Sequence, residues 1–164
     1  MGSLMEPTIS PFNTPFEAGV RSLCILTEAY PQALDLPRLV DFDYLVVHSG
    51  DVNGPPSLHA PVPLRSGEIL VRRGLVEAGL LLMISRGLVE RSLRDDGVYF
   101  CASETSAPFV TSLSTPYNRE LRQRATWAIT EFAQIGGGEL RARLSGLFDT
   151  WTPQFQALQG PAAS

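Results

Sequence analysis

The sequence contains no lysine, so all 13 of its basic side chains are arginines. A phosphate-binding loop of the Walker type requires a lysine, and this absence excludes that kind of nucleotide site. Arginine suits desolvated ion pairs at interfaces better than lysine does, although a GC-rich genome would produce the same bias. The 17 acidic residues outnumber the basic ones and bring the net charge to −4. This balance argues against a domain that holds DNA mainly through its overall field.

Cysteine and long hydrophobic runs are also scarce. The two cysteines, Cys24 and Cys101, lie in apolar segments of a predicted helix and a predicted strand, which favours buried free thiols over a disulfide. The longest apolar run, residues 80–84, is far shorter than the roughly 18 residues that a membrane span needs. No basic segment followed by an apolar core stands at the start, as a secretory signal would require. We therefore expect a cytoplasmic protein.

The rest of the composition is that of a folded domain. Hydrophobic residues make up 44% of the 164 positions and charged residues 18%, which is typical of a chain with a real core. This length accommodates one domain, or one domain with a helical extension.

Residues 65–85 predict a long helix around which the rest of the chain is organised. Ser66 is a suitable N-cap, and Glu68 lies in the first turn, where its charge suits the positive helix end. Gly87 can end the helix in a left-handed conformation. The buried face of the helix is predicted from apolar residues at helical spacing: Ile69, Leu70, Leu75, Val76, Leu80, Met83 and Ile84.

A β-hairpin is predicted directly after this helix. Two β-prone runs, residues 88–93 and 98–102, flank residues 94–97, and the Asp96-Gly97 step between them is a good hairpin signal. A helix followed by a hairpin is the second half of a winged helix.

The chain before the central helix predicts two shorter helices. Thr14 and Pro15 mark the start of the first, and Glu17 completes a capping box. Asp35 caps the second, with Pro37 in its first turn. Together these elements indicate a fold that is mainly α with a small β-hairpin. We expect a winged-helix-like core (helix-turn-helix plus wing) with a C-terminal helical extension.

Proline and glycine mark the predicted boundaries. Residues 1–13 form a flexible N-terminal arm, and residues 14–115 form the winged-helix-like domain. Residues 116–151, two helices separated by three glycines, form the C-terminal helical extension, and residues 152–164 form a flexible tail. The last helix carries an apolar stripe that ends in Trp151, a residue type frequent at binding hot spots. The alternative use of this stripe is to cover the domain's own core.

Residues 48–64 contain four prolines and two glycines, so we expect no regular structure there. Most helix-turn-helix domains make this connection with a few residues, and the extra length favours a functional loop. It holds both histidines of the chain, His48 and His59, together with Ser49 and Asp51. Adjacent His, Ser and Asp do not make a catalytic triad, and the spacing matches no common zinc pattern. We expect these side chains to shape the loop; a nucleophile or metal role is the alternative.

The charged residues of the helices point neither to acid–base catalysis nor to base reading. Asp41 and Asp43 lie on roughly opposite sides of their helix and are predicted to face solvent. A recognition helix needs an exposed polar face, but the C-terminal half of the central helix is nearly all apolar. Phosphate contact by the wing arginines, Arg91 and Arg94, stays open.

The sequence from about residue 13 to residue 132 resembles a known protein family. The matching segments read NTPFEAGVRSL, LDLPRLVDFDYLVVHSGD and GPPSLHAPVPLRSGEILVRRGLVEAGLLLMISRGLVE, with a weaker match in TSAPFVTSL and LRQRATWAI. The most specific part is the run from HSGD through SLH to RSGE and LVRR. The sequence is similar to the middle component of bacterial ABC-three component systems, a group that overlaps with Lamassu-type anti-phage defence.

This resemblance implies a small non-enzymatic adaptor that needs no cofactor. Its expected partners are an ABC ATPase of the SMC/Rad50 kind and an effector subunit, often a nuclease. Sensing of foreign DNA by the ATPase would then restrain or release the effector. DNA would meet this chain only indirectly or through non-specific phosphate contacts. A winged-helix DNA-binding transcription regulator, or a hydrolase or metal enzyme using residues 48–59, are the alternatives.

Candidates for partner contact lie in three places. The central helix offers residues among which bidentate arginine pairing gives geometric specificity: Arg65, Glu68, Arg72 and Arg73. The loop and the last helix supply the other candidates: His48, Ser49, Asp51, His59 and Trp151. Pairing of the arginines inside the chain, with Asp51 or Glu77, is the alternative.

Overall fold

The computed structural model describes the backbone of residues 14–60 and 65–158 and the side chains of residues 14–60 and 71–147. The predicted arm, residues 1–13, and residues 159–164 of the predicted tail lie outside the described residues. The helices are α1 (Pro15–Ala29), α2 (Leu36–Val47), α3 (Arg65–Ser85), α4 (Ser106–Ser112), α5 (Pro116–Phe132) and α6 (Gly137–Leu158). The strands are β1 (Leu34–Asp35), β2 (Val89–Arg94) and β3 (Gly97–Ala102). The prediction of a mainly helical fold with a small β-hairpin is confirmed.

Two of the three predicted helix starts are present as hydrogen-bonded caps. The third prediction, an N-cap at Ser66, was wrong, because α3 already begins at Arg65. Thr14 Oγ1 accepts a hydrogen bond from the backbone N–H of Glu17 at 3.2 Å, and Asp35 Oδ1 accepts one from Arg38 at 2.9 Å. These contacts satisfy backbone donors that have no partner inside the first turn. Gly87 has a φ of 70°, the left-handed conformation predicted for the end of α3.

The sheet has one strand that the sequence did not suggest. Its order is β1-β3-β2, with both pairings antiparallel. The hairpin runs in register from Val89 opposite Ala102 to Arg94 opposite Gly97. β1 is only two residues long and pairs Leu34 with Phe100. Because β1 pairs with the far side of β3, β2 is an edge strand of the sheet. Five of the six β2 residues are exposed.

The core is built around α1, which packs against both α3 and α5. Gly19 and Gly79 let α1 and α3 approach so closely that a Cβ on Gly19 would lie 2.8 Å from the carbonyl oxygen of Gly79. α5 and α6 contribute to the same hydrophobic cluster as the first three helices. The fully buried hydrophobic residues of α5 and α6 are Leu121, Ala125, Ala128, Leu140 and Leu144.

The last helix is longer than predicted. α6 runs to Leu158, whereas the sequence suggested an end at residue 151. The helix continues through Pro153, from which its end was predicted, so this proline does not end it. Among the helices of the described residues, none combines the length and apolar composition needed to cross a membrane.

Candidate functional site

Three charged side chains meet in the interior between α1, α2 and α3. Asp43 is fully buried and accepts hydrogen bonds from Arg21 Nε, at 2.8 Å, and from Arg72 Nη1. The side chains of Arg21 and Arg72 are only 1% and 6% exposed. Burial of charges at this depth requires pairing, and here one carboxylate serves two guanidinium groups. We call Arg21, Asp43 and Arg72 the buried triad.

The prediction that Asp41 and Asp43 face solvent was wrong. Asp43 is 0% exposed and Asp41 is 3% exposed. Each carboxylate is buried because an arginine from another helix reaches it. Arg141 of α6 donates to both oxygens of Asp41, at 3.1 and 3.2 Å.

The two aspartates differ in the direction of their pKa shifts. Burial acts to raise the pKa of Asp43, but the charges and hydrogen bonds of Arg21 and Arg72 outweigh burial and hold that pKa below its ordinary value. Burial also acts on Asp41, and there it outweighs Arg141 and raises the pKa. The carboxylate of the buried triad is therefore the better stabilised anion.

Arg72 was predicted to contact a partner, but its side chain is 6% exposed because it lies in the buried triad. Its guanidinium also lies over the ring of Tyr44, 5.7 Å from the ring centroid. The alternative of pairing inside the chain holds for Arg72, which pairs with Asp43. Sequence spacing misses this pair because Asp43 and Arg72 are 29 residues apart.

The loop after α2 folds back on itself. His48 and Ser49 are 1% and 0% exposed, so they do not offer the surface contacts suggested for them. Their burial follows from the turn that they begin: residues Ser49–Val52 form a short 3-10 helix, in a segment expected to be irregular. Ser49 Oγ donates to the carbonyl of Pro55 at 2.8 Å, and Tyr44 donates its hydroxyl hydrogen to Asp51. The predicted role of these side chains as shapers of the loop is the one the contacts describe.

His59 contacts α5 through Tyr117. Its Nε2 lies 2.9 Å from the hydroxyl of Tyr117, and the two rings are stacked. Burial, and next the positive charge of Arg21, lower the pKa of His59 to about 4. The imidazole is therefore neutral near pH 7. Within residues 14–60 and 71–147, no three His, Cys, Asp or Glu side chains gather as metal ligands.

The middle of the loop packs against α5 at two points. Arg124 of α5 donates from Nε and Nη2 to the carbonyl of Pro56, at 3.1 and 3.0 Å. Gly54 lies directly against the indole of Trp127, where a Cβ would overlap the ring. The described part of the loop, residues 48–60, thus packs against the fold.

The Gly54→Ala variant is expected to lower the free energy of unfolding by about 1 to 3 kcal/mol, because the added methyl group overpacks the contact with Trp127. Chemical denaturation followed by circular dichroism measures the change. Gly136→Ala is the matched control, since a Cβ at Gly136 meets nothing within 4 Å. Equal stability of the two variants would show that the loop does not need to sit on the indole.

The exposed candidate on the central helix is Arg73, which borders a groove between α3 and the hairpin. The groove encloses about 390 Å³ and is lined by Arg73, Glu77, Leu81, Arg91, Val98 and Phe100, among others. We call it the α3–hairpin groove. Leu81 is 54% exposed and Val98 37% exposed, so apolar side chains face solvent beside opposite charges. Sequence reasoning missed Leu81 and Val98; the available signal was that α3 carries more apolar residues than one buried face can hold.

Three candidates from the sequence have no described side chain. Arg65 and Glu68 lie in the first turns of α3, and Trp151 lies in α6, but these side chains are outside the described residues. The structure thus leaves Arg73 as the exposed member of the central-helix set whose surroundings are described.

Both cysteines of the chain are free thiols. Cys24 is buried in α1, and burial raises its pKa to about 12. Cys101 of β3 is half-buried, and burial raises its pKa as well. Neither thiol is activated as a nucleophile would be.

The comparison with known protein families found a match. The family model of Middle Component 2 of the ABC-three component (ABC-3C) system matches residues 11–154, which is most of the chain. No curated protein and no solved structure matches the chain. The match spans every element from α1 to the main part of α6, including the buried triad and the α3–hairpin groove. The chain therefore belongs to the Middle Component 2 family of ABC-three component systems.

Proposed function

We propose that this middle component is a non-enzymatic adaptor that links the ABC ATPase of its system to an effector subunit. The ATPase would be of the SMC/Rad50 kind, the effector of the nuclease kind, and the setting cytoplasmic anti-phage defence of the Lamassu type. Membership of a three-component family supports the general role. The finer identities rest on the sequence resemblance and are part of the proposal.

The observation that carries the proposal is the character of the α3–hairpin groove. The order α1-β1-α2-α3-β2-β3, with sheet order β1-β3-β2, supports a winged-helix description of the core. In such a domain, the helix before the wing is the element that reads DNA. Here that helix exposes Leu81 beside Glu77 and Arg73, and the wing exposes Val98. Apolar and mixed-charge surface suits a protein partner better than a polyanion.

The polar residues of the loop also support an adaptor rather than an enzyme. Ser49 donates to a backbone carbonyl, and His59 contacts Tyr117. These contacts explain the residues as packing and hydrogen-bonding groups. Catalysis by the loop would require loss of function in the Ser49→Ala variant without loss of folding.

The test is co-purification of the chain with the ATPase encoded beside it. We expect a single complex on a sizing column at micromolar concentration. Leu81→Glu should weaken that complex, because it places a charge in the apolar part of the groove. Val71→Glu is the matched control: Val71 is 66% exposed on the same helix and does not line the groove.

Two results would count against the adaptor. Separate elution of the two proteins would remove the proposed link to the ATPase. Equal effects of Leu81→Glu and Val71→Glu would remove the groove as its site.

A DNA-binding transcription regulator is the second candidate, because the element order of the core favours it. It predicts sequence-specific binding that survives moderate salt. A sequence-independent shift that disappears as salt rises would reject it.

A further inference from the structure

The free edge of the sheet is unusually open for an edge strand. β2 leaves one side of its backbone unpaired, because β3 lies on the other side and β1 lies beyond β3. Five of its six residues are exposed, and Leu93 is 82% exposed. Edge strands of this kind are normally shortened, covered or guarded by charge, since they pair readily with another chain. The charges on β2 therefore decide what can pair with it.

The side chains of β2 fall on two faces of the sheet. Val89, Arg91 and Leu93 lie on the face that turns towards the core, where their β3 partners Ala102 and Phe100 are buried. Glu90 and Arg94 lie on the opposite, solvent-facing side together with Ser92. Glu90 and Arg94 form no ion pair with any described residue; Arg94 stacks its guanidinium over Tyr99, 4.4 Å from the ring centroid.

A second copy of this chain is the occupant to which this charge pattern is complementary. In an antiparallel pair, hydrogen-bonded and non-hydrogen-bonded positions alternate, so a symmetric pairing of two β2 strands must centre on a residue. Centring on Arg91 or on Ser92 pairs residues 89–93 or residues 90–94, and other centres pair fewer. Centring on Arg91 places two guanidinium groups directly opposite each other, which is unfavourable.

Centring on Ser92 instead places opposite charges across from each other. It places Glu90 opposite Arg94 of the second copy, and symmetry forms the same pair a second time. Two serines meet at the axis without steric or electrostatic conflict. On the other face, the aliphatic stem of Arg91 lies over the exposed Leu93 of the second copy. The charges of β2, which disfavour pairing with most other strands, are therefore complementary to a second copy of β2.

We propose that the chain forms a symmetric dimer through β2, with the two-fold axis at Ser92. The two three-stranded sheets then form one continuous sheet in the order β1-β3-β2-β2-β3-β1. Exposed cross-strand ion pairs are individually weak, so they set the register, while backbone hydrogen bonds and the covering of Leu93 supply the attraction. A strand-edge contact buries less area than a standard interface, and we expect a dimer of micromolar affinity.

The experiment is sedimentation equilibrium of the purified full chain over a micromolar-to-millimolar range. We expect a monomer–dimer equilibrium. Glu90→Arg alone and Arg94→Glu alone should each raise the dimer dissociation constant about tenfold or more, because two attractive pairs become two repulsive ones. The double variant Glu90→Arg/Arg94→Glu should restore dimerisation, since it exchanges the partners of both pairs.

Glu131→Arg, an exposed charge reversal on α5, is the control and should leave the equilibrium unchanged. A monomer at every concentration would overturn the proposal, and so would a dimer that ignores the single variants or is not restored by the double one. A monomer whose binding to the ATPase needs the β2 charges would assign this edge to a partner strand instead. The chain is tested alone, so failure here leaves the adaptor proposal intact.

Discussion

The Asp43→Asn variant is expected to lower the free energy of unfolding by about 3 to 5 kcal/mol, because it removes the only anion of the buried triad. Arg21 and Arg72, which are only 1% and 6% exposed, would both lose the carboxylate that they share in the interior. An asparagine oxygen still accepts a hydrogen bond, but it does not neutralise two guanidinium groups. Urea denaturation followed by far-UV circular dichroism measures the loss.

Asp95→Asn is the control for this prediction, because Asp95 is exposed in the hairpin turn. A substitution of that kind is expected to change stability by no more than about 0.5 kcal/mol. Replacing all three charges at once, with Arg21→Met, Asp43→Leu and Arg72→Met, should destabilise less than Asp43→Asn alone. If Asp43→Asn were as mild as the control, the triad would not be what holds α1, α2 and α3 together.

The pH dependence of the free energy of unfolding provides a second test of the role of Asp43. Because the folded pKa of Asp43 lies below its ordinary value, its contribution is fully present above the unfolded pKa of about 3.9. The contribution is lost as the pH falls through the lower pKa of the folded state. The stability difference between the native chain and Asp43→Asn should therefore narrow in acid. A constant difference down to the acid transition would contradict the assignment.

Local signals in the sequence were sufficient to predict most of the secondary structure. Thr14 and Asp35 cap their helices, Gly87 ends α3, and the hairpin turns at Asp95 and Asp96, directly before Gly97. These features act within a few residues, so the sequence displays them directly. β1 escaped prediction because two residues carry no periodicity, and only its pairing with β3 makes it a strand.

The site was harder to predict, because its geometry depends on contacts across the chain. Asp43 looks like a surface residue until Arg21, 22 residues earlier, and Arg72, 29 residues later, are brought to it. A polarity pattern places such residues outside, since it does not record which charges will be paired. The loop was predicted only in part: its prolines and glycines indicated a break after α2, but neither the 3-10 helix at Ser49–Val52 nor the contact of Gly54 with Trp127.

The Gly79→Ala variant is the second substitution for which we expect a large effect. A Cβ at Gly79 would lie 2.6 Å from the carbonyl oxygen of Pro15 and even closer to the backbone nitrogen of Gly19. Both neighbours are backbone atoms of α1, so no side chain can rotate away to make room. α1 and α3 must separate, which also disturbs the buried Val76 and Met83 on either side of the crossing. We expect a loss of about 1 to 3 kcal/mol in the free energy of unfolding.

Gly74→Ala provides the matched control for this prediction. Gly74 lies in the same helix and has no atom within 4 Å of an added Cβ. In a helix interior, alanine is favoured over glycine by about 1 kcal/mol, so Gly74→Ala should stabilise the chain. The same gain in helix propensity is available at Gly79, and the difference between the two variants therefore isolates the cost of separating α1 from α3. If both variants gained stability, the crossing would be loose enough to admit a methyl group, and the close approach of the two helices would not be a requirement of the fold.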